Sequence, residues 1–347
     1  MRSFLILGCL FLGWIAAQLP LALAQTGAPG GSPADEFAHA QQEIQQGHLP
    51  EAIAALEKLN QITPAIKGVA HDLGLAYYRG GKLVDARQAF SKAIQDDSSD
   101  MESVQMLGLT LYRLGRPAEA IPYLERVRQW MPNSEADANY VLGLCYLNSQ
   151  RYDDARKSFA AQYGVPAESG PAYLLLGNML TNAHLPELAV GAAHKALQLS
   201  PGLPLAHFMI GEVALFKSSL AEAETEFEAE RALNPGYSPV YDRLGDVYTR
   251  LQKYQQAQQA IMKAISLDTT RTGPFILMGK VLLRRDDAQS ATLYLRHAIK
   301  MDPGSYIAHT LLGQAYRKLG KEQEAKQELE TASKLQTGNE LELQSVQ

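Results

Sequence analysis

Residues Leu73-Gly74-Leu75-Ala76-Tyr77, followed by Ala86 and Phe90, form one copy of a pattern that recurs along the chain. The glycine returns every 34 residues, with a single step of 35, and an alanine stands twelve residues after each copy. A large apolar residue precedes each glycine, and a mostly large apolar column follows it by sixteen residues. A period this regular indicates one supersecondary unit repeated many times. The eight glycines are Gly74, Gly108, Gly143, Gly177, Gly211, Gly245, Gly279 and Gly313.

Each unit is predicted to be a pair of antiparallel helices. A glycine inside a helix costs about 1 kcal/mol relative to alanine, so eight of them require a packing reason. We expect the glycine of the first helix and the alanine of the second helix to meet where the two helices cross. Prolines stand where second helices should begin, at Pro50, Pro117 and Pro186. Glycines mark the tight turn inside a pair at Gly47, Gly81, Gly115 and Gly320.

A ninth, less regular unit precedes the other eight. The position 34 residues before Gly74 is Ala40, which is also small. Ala52, Leu56 and Pro64 then occupy the alanine, apolar and closing-proline positions of the unit. Terminal repeats are expected to depart from the pattern, so we count about nine repeats.

The combined pattern resembles the tetratricopeptide repeat family over about residues 34–337. The runs that carry the resemblance are Leu73–Tyr77 with Ala86 and Phe90, and Leu244-Gly245-Asp246-Val247-Tyr248 with Ala257 and Ala264. The resemblance implies an all-α fold, an α-solenoid in which antiparallel helix pairs stack into a right-handed superhelix with a concave groove. It also implies that the first helix of each pair lines the groove and that the groove binds protein or peptide partners.

The N-terminal residues differ from the repeats. Arg2 precedes an apolar run over residues 4–17, and Ala22-Leu23-Ala24 follows as a small-residue cleavage motif. This order predicts a signal peptide over residues 1–24, a flexible linker over 25–33 and an exported protein, periplasmic or secreted. The alternative is an uncleaved membrane anchor formed by residues 4–24, which are numerous enough to span a bilayer. Residues 338–347 are predicted to be a disordered tail.

Composition and motifs argue against nucleic-acid binding, catalysis and a metal or cofactor site. The formal net charge is −5 with no basic excess, so general nucleic-acid binding is not expected. The sequence contains no Walker A loop, G-x-S-x-G elbow, H-E-x-x-H or C-x-x-C motif, so neither an enzyme nor a metal or cofactor site is expected. His207 and His309 stand in a mostly apolar or aromatic column and are expected to be packed rings. Cys145 stands among small and apolar residues and is expected to be buried and unreactive.

Glu230 departs from its column, in which Ala93, Ala196 and Ala264 are typical. Two interpretations stay open from the sequence. The carboxylate either disturbs the local stacking of helices or meets a partner there.

Two columns of the first helices are expected to face the groove. Repeats two to four supply tyrosines and arginines, the middle repeats supply amides and aromatic rings, and the last three supply cations suited to carboxylates or other anions. The simpler interpretation of the cations is that they lie near helix C-termini, where the helix dipole favours them. The candidate groove residues are His71, Tyr78, Arg79, Gln105, Tyr112, Arg113, Tyr140, Asn148, Asn178, Asn182, Phe208, Phe216, Asp242, Arg250, Lys280, Arg284, Arg317 and Lys318.

One irregularity interrupts the repeats. The 35-residue step lies between Gly108 and Gly143, and Gly164 and Pro166 then stand where the second helix of repeat four should continue. The sequence therefore predicts a shortened helix, with a changed superhelical twist or a hinge between repeats four and five.

The favoured function is a non-enzymatic, exported interaction scaffold that binds peptide segments in its groove. The alternative is a membrane-tethered adaptor of an envelope assembly or polysaccharide export machine, which would use the basic C-terminal repeats to bind anionic polymer.

Overall fold

The computed structural model describes residues 32–62, 64–130 and 138–345, with side chains described as far as residue 337. These residues form eighteen α-helices and no β-strand. The helices are α1 (Pro33–Gln46), α2 (Leu49–Leu59), α3 (Val69–Arg79), α4 (Leu83–Asp96), α5 (Met101–Arg113), α6 (Pro117–Trp130), α7 (Ala138–Asn148), α8 (Tyr152–Gln162), α9 (Gly170–Asn182), α10 (Pro186–Leu199), α11 (Ala206–Phe216), α12 (Leu220–Leu233), α13 (Ser238–Arg250), α14 (Tyr254–Leu267), α15 (Thr272–Arg284), α16 (Ala288–Met301), α17 (Tyr306–Lys318) and α18 (Glu322–Ser345).

The helices form nine pairs that stack in chain order. Each odd-numbered helix packs on the even-numbered helix that follows it, and each pair packs on the next pair. Successive odd-numbered helices also touch one another at most steps along the stack. The apolar core follows the stack as neighbouring clusters, so the predicted all-α solenoid of antiparallel helix pairs is confirmed.

The repeat glycines allow a large side chain to lie directly on the first helix. A Cβ atom placed on Gly74 would lie 2.7 Å from Phe90 Cδ1, and a Cβ on Gly279 would lie 2.4 Å from Leu295 Cγ. At Gly313 the alanine column contributes too, because the carbonyl oxygen of Ala325 would lie 3.2 Å from the added Cβ. The closest contact of Gly74, Gly279 and Gly313 is therefore the apolar residue sixteen positions later, and the expected approach of the alanine is seen at Gly313.

Gly177 is also covered by a large side chain, but the side chain comes from the next repeat. Its column partner is Ala193, which is too small to reach the glycine. Met209 of the next repeat fills the space instead, and its Sδ would lie 2.7 Å from a Cβ on Gly177. Close packing on the glycine is thus kept by a different residue.

The turn inside each pair contains one residue with positive φ. Glycine occupies this position in four pairs, as predicted, and adopts it without steric cost. In the other five pairs an L-residue takes the same conformation with a φ of 58–60°. The glycines are Gly47, Gly81, Gly115 and Gly320, and the other residues are Gln150, His184, Ser218, Gln252 and Asp286.

Tyrosine–glutamate bonds tie neighbouring pairs together on the side of the second helices. The hydroxyl of Tyr248 on α13 donates to Glu228 on α12, and Lys253 Nζ lies 5.8 Å from the centre of the Tyr248 ring. Burial, and then the hydrogen bond to the carboxylate, raise the pKa of Tyr248. The same hydrogen bond joins Tyr77 to Glu57 and Tyr146 to Glu125, where burial and the bond raise the pKa of Tyr146 to about 12.

Helix α8 confirms the predicted shortening in repeat four. It has 11 residues, whereas α4, α6, α10, α12, α14 and α16 each have 14. The loop that replaces its last turn is held by Arg156, whose side chain is only 3% exposed. The guanidinium donates to the carbonyl oxygen of Ala167 and, over 2.7 Å, to Glu168 Oε1, and it lies 4.5 Å from the centre of the Tyr173 ring. The extra residue of the 35-residue step falls near residues 131–137, which lie outside the described residues.

The ends of the chain are described only in part. The predicted signal peptide and most of the predicted linker lie outside the described residues, and α1 begins at Pro33 with Ser32 as its N-cap. At the other end α18 continues to Ser345, into the segment predicted to be a tail, where the residues are mainly strong helix formers. No helix in the described part of the chain is both long and apolar enough to cross a membrane.

Candidate functional site

The first helices of the pairs share a side whose residues are mostly half-buried or exposed. We call this side the first-helix face. On each of α3, α5, α7, α9, α11, α13, α15 and α17 it comprises five residues, numbered from the repeat glycine: positions −3, −2, +1, +4 and +5. Side chains four apart on a helix share one side of it, which brings these positions together. The two columns predicted from the sequence belong to this face.

At the N-terminal end, the predicted residues of α3 and α5 reach one another. The Arg113 guanidinium lies 4.6 Å from the centre of the Tyr78 ring, so two side chains from neighbouring repeats form one cation–π pair. Arg79 Nη1 donates to the carbonyl oxygen of Ile44 over 3.4 Å. Both arginines are exposed, whereas Gln105 is half-buried.

His71 takes part in packing rather than lying open on the surface. Its side chain is 14% exposed, and its Nδ1 lies 2.8 Å from Ser103 Oγ and 3.4 Å from Asp100 Oδ2. The ring also packs edge-on against Phe90. His71 therefore links α3 to α5 and offers a partner little accessible surface.

The tyrosines of repeats three and four are half-buried. Burial is the main cause of the raised pKa of Tyr112. The Tyr140 ring lies 5.9 Å from the Phe159 ring, and its hydroxyl lies 3.9 Å from Met179 Sδ. The exposed Asn148 uses its amide to donate to Leu144 of its own helix over 2.9 Å. Of these three candidates, only Asn148 is largely exposed.

A cavity of about 570 Å³ opens between α9 and α11 in the middle of the face. The predicted residues Asn178, Phe208 and Phe216 line it, and the side chain of Phe216 is 84% exposed. Asn182 is exposed on α9 but does not line the cavity. The remaining lining residues are Thr181, His184, Pro186, Leu205, Met209, Glu212, Val213 and Tyr237.

Aromatic rings form one wall of this cavity. The Phe208 ring packs 5.5 Å from Phe227 and 5.3 Å, edge-on, from Tyr237. Tyr237 precedes α13, so this wall joins two repeats. Sequence periodicity did not identify Tyr237, because it lies outside the repeat columns that were assigned to the groove.

A charged pair borders the cavity. Arg243 Nε donates to Glu212 Oε1 over 2.5 Å, and Arg243 Nη2 lies 3.3 Å from Glu212 Oε2. Neither residue is among the candidates predicted from the sequence, although Glu212 stands four residues from both Phe208 and Phe216. That helical spacing was the available signal.

Glu230 holds one of the residues that line the cavity, Leu205. Its carboxylate is fully buried, and both oxygens lie 2.9 Å from the backbone nitrogen of Leu205, which donates to them. Leu205 precedes α11 with a φ of 73°, and its side chain lines the cavity. The carboxylate therefore caps a helix entry within the protein and is not accessible to an external partner.

The C-terminal end of the face contains both paired and free cations. Arg250 pairs with Asp246 at 2.8 Å, and Lys318 pairs with Asp286. Within the described part of the chain, Lys280, Arg284 and Arg317 make no ion pair. These three side chains are therefore the ones on α15 and α17 that remain available to an external anion.

Asp242 does not fit the expected open groove position. It is 8% exposed, burial raises the pKa of its carboxyl, and Arg271 Nη2 donates to it over 3.2 Å. It links α13 to the start of α15 and is a structural residue.

Three residues considered for chemistry, His207, His309 and Cys145, make contacts within the protein. His207 Nδ1 lies 2.6 Å from Glu226, and His309 Nδ1 lies 2.6 Å from Glu328. Cys145 is fully buried, and burial raises the pKa of its thiol to about 12, so the nucleophilic thiolate is scarce at neutral pH. The expectation for Cys145 is confirmed, and the described residues include no metal-binding group of histidine, cysteine and carboxylate side chains.

Comparison with known proteins gives partial matches along much of the chain. It is 23% identical over 269 residues to the protein CTR9 homolog of Arabidopsis thaliana, covering 75% of this chain and 25% of that protein. It is also 23% identical over 171 residues to cellulose synthase 1 operon protein C of Komagataeibacter xylinus, covering 46% of this chain and 13% of that protein. The chain therefore spans a quarter or less of these two relatives.

Among solved structures, the chain is similar to YrrB, described as a TPR protein with an unusual peptide-binding site. The identity is 22% and the TM-score is 0.47, with 56% of this chain and 98% of that chain covered.

Family models give the most direct assignment. Three models of the tetratricopeptide repeat match residues 37–102, residues 111–162 with 282–347, and residues 238–271. The matches agree with the period of the glycines and with the stacked helix pairs. The chain belongs to the tetratricopeptide repeat family.

Proposed function

We propose that this protein is a non-enzymatic interaction scaffold that binds an extended peptide segment along its first-helix face. The observation that carries the proposal is the cavity between α9 and α11, with Phe216 exposed at 84% beside it. Exposed aromatic side chains next to a preformed cavity are the type of surface that anchors a partner.

Polar groups beside the cavity suit a peptide backbone. Asn178 and Asn182 are exposed on α9, and each amide has two donors and an acceptor. Amides at this position can bond an extended backbone without reading its side chains, while the cavity accepts an apolar side chain. The arrangement supports binding of a peptide with an apolar or aromatic anchor.

A random-peptide phage library selected against the full chain tests the proposal. Peptides that emerge should bind Phe216→Glu at least about 30-fold more weakly, because a central aromatic anchor contributes about 2 kcal/mol or more. Leu293→Glu is the matched control, since Leu293 is 62% exposed on α16, away from the face. Selection of no peptide, or equal losses in the two variants, would contradict the proposal.

Export is the second part of the proposal. The basic residue, apolar run and Ala22-Leu23-Ala24 motif support cleavage of residues 1–24 and a periplasmic or secreted scaffold. N-terminal sequencing of the protein from fractionated cells should give Gln25 as the first residue. Recovery of the uncleaved chain in the membrane fraction would instead support a tether formed by residues 4–24.

A membrane-tethered adaptor of a polysaccharide export machine is the second candidate. Two observations favour it, the similarity to a cellulose synthase operon protein and the free cations Lys280, Arg284 and Arg317. An anionic polymer would then bind the C-terminal end of the face, and its binding would weaken steeply with salt.

A further inference from the structure

The charge of the first-helix face is opposite to that of the whole chain. The chain has a formal net charge of −5, yet the face contains eight cations and four anions. The cations are Arg79, Arg113, Arg243, Arg250, Lys280, Arg284, Arg317 and Lys318, and the anions are Asp72, Glu212, Asp242 and Asp246. The excess of acid therefore lies on other surfaces of the solenoid.

All four anions of the face have partners within the protein. Glu212 is held by Arg243, Asp242 by Arg271 and Asp246 by Arg250. Asp72 accepts a hydrogen bond from Gln41 at 2.7 Å. Three of the four negative charges are thus paired with cations, while Asp72 keeps its charge at the other end of the face. The positive charge in excess is left for a ligand.

The charge is also unevenly distributed along the face. On α7, α9 and α11 the only charged position of the face is Glu212, and α9 and α11 border the apolar cavity. Beyond them, Lys280, Arg284 and Arg317 lie on α15 and α17 without an ion pair to any described residue. The centre of the face thus has an apolar anchor point and a single charged side chain, Glu212, which is paired with Arg243, and a basic end follows it.

We propose that the partner segment has an apolar or aromatic anchor residue with acidic side chains on one flank, which bind Lys280, Arg284 and Arg317. This inference rests on the proposed peptide-binding function and names the chemistry of the peptide. Helices in contact lie about 8–10 Å apart, so two steps along the face, from α11 past α13 to α15, span at least roughly 16–20 Å. An extended chain covers this in about five or six residues, which sets the spacing from anchor to acid.

Labelled synthetic peptides with one central phenylalanine test the inference. One peptide has neutral flanks, and two others have a glutamate cluster about five residues from the phenylalanine, on the amino or the carboxyl side. One acidic peptide should bind the full chain about tenfold or more tightly than the neutral one. Most of that gain should disappear between about 0.05 and 0.5 M NaCl, where screening shortens the range of the interaction.

A charge-reversed triple variant identifies the cations. Lys280→Glu/Arg284→Glu/Arg317→Glu should remove the gain from the acidic flank and leave the affinity of the neutral peptide unchanged. The matched control is Lys263→Glu/Arg296→Glu/Lys300→Glu, which makes the same change in net charge at exposed positions of α14 and α16. The control should retain the gain.

The outcomes separate this inference from the proposed function. Binding of the neutral peptide that Phe216→Glu abolishes, with no gain from either acidic flank, overturns the inference alone. If both triple variants lose the gain in affinity from the acidic flank equally, the inference is overturned as well, because the gain would then depend on the net charge of the protein. Failure of every peptide to bind overturns both. Alginate serves as an anionic polysaccharide probe. If Lys280→Glu/Arg284→Glu/Arg317→Glu abolishes alginate binding, the control triple variant does not, and acidic flanks do not tighten peptide binding, the cations would be assigned to an anionic polysaccharide instead.

Discussion

Gly279→Ala is expected to destabilise the protein by about 1–2 kcal/mol, although alanine is the better helix former. The added Cβ would lie 2.4 Å from Leu295 Cγ and 2.6 Å from its Cδ2. Cγ is the branch point of the side chain, so α15 and α16 must move apart. Overpacking costs about 1–3 kcal/mol and outweighs the gain of up to about 1 kcal/mol in helix propensity.

Gly191→Ala is the matched control for Gly279→Ala. Gly191 lies inside α10, and no atom lies within 4 Å of a Cβ placed on it. This variant should be stabilised by about 0.5–1 kcal/mol, because propensity is the only effect left. Scanning calorimetry of the three proteins should therefore show melting temperatures shifted in opposite directions. An upward shift for both variants would refute the packing role of the repeat glycine.

Gly177→Ala should be milder than Gly279→Ala. The atom in the way is Met209 Sδ, at 2.7 Å, and a methionine side chain can rotate away from an obstacle. The cost of the same substitution therefore depends on which residue covers each glycine.

Arg156→Ala is expected to give the second large effect, a loss of about 2–3 kcal/mol together with local opening of the loop after α8. The substitution empties a buried site and removes the donors to Ala167 and Glu168. Glu168 is itself exposed, so its ion pair contributes little, and the packing of the arginine on Tyr173 and the loop contributes most.

Hydrogen exchange and limited proteolysis would locate this effect. Amides and cleavage sites within residues 163–169 should become accessible in Arg156→Ala and stay protected in Arg116→Ala. Arg116 is the control because it forms an exposed pair with Glu119 of the same i,i+3 kind as Arg156 with Asp153. If Arg156→Ala behaved like Arg116→Ala, the loop would be held by other contacts. The hinge predicted at this junction stays a prediction, and the Arg156 contacts oppose it.

Periodicity predicted the fold because the repeat is encoded locally. A glycine, an alanine and a turn residue at constant spacing place each helix and its crossing, and α8 ended early where Gly164 and Pro166 follow it. The groove columns contained Phe208 and Phe216, and Asn178 was assigned to the same surface beside them; the structure places all three on one cavity.

Three contacts of the candidate site were not predicted, because each joins residues that are distant in the sequence. Glu212 meets Arg243 across 31 residues, and Glu230 meets Leu205 across 25. Tyr237 reaches the cavity from the entry to α13. Which of these groups meet depends on the angle between adjacent pairs, and no local pattern encodes that angle.

By itself, the sequence determined that this chain is a stack of about nine helix pairs, because the pairs follow from residue type and spacing. The side of the first helices that faces a partner came from the resemblance to the repeat family and stays a prediction. The tertiary structure decided which of the accessible side chains remain free. His71 and Asp242 were absorbed into contacts between repeats, Lys318 was paired with Asp286, and Lys280, Arg284 and Arg317 were left without ion pairs among the described residues. The physical reason is that a side chain's availability depends on neighbours brought to it by stacking, some 20 to 35 residues away in the chain.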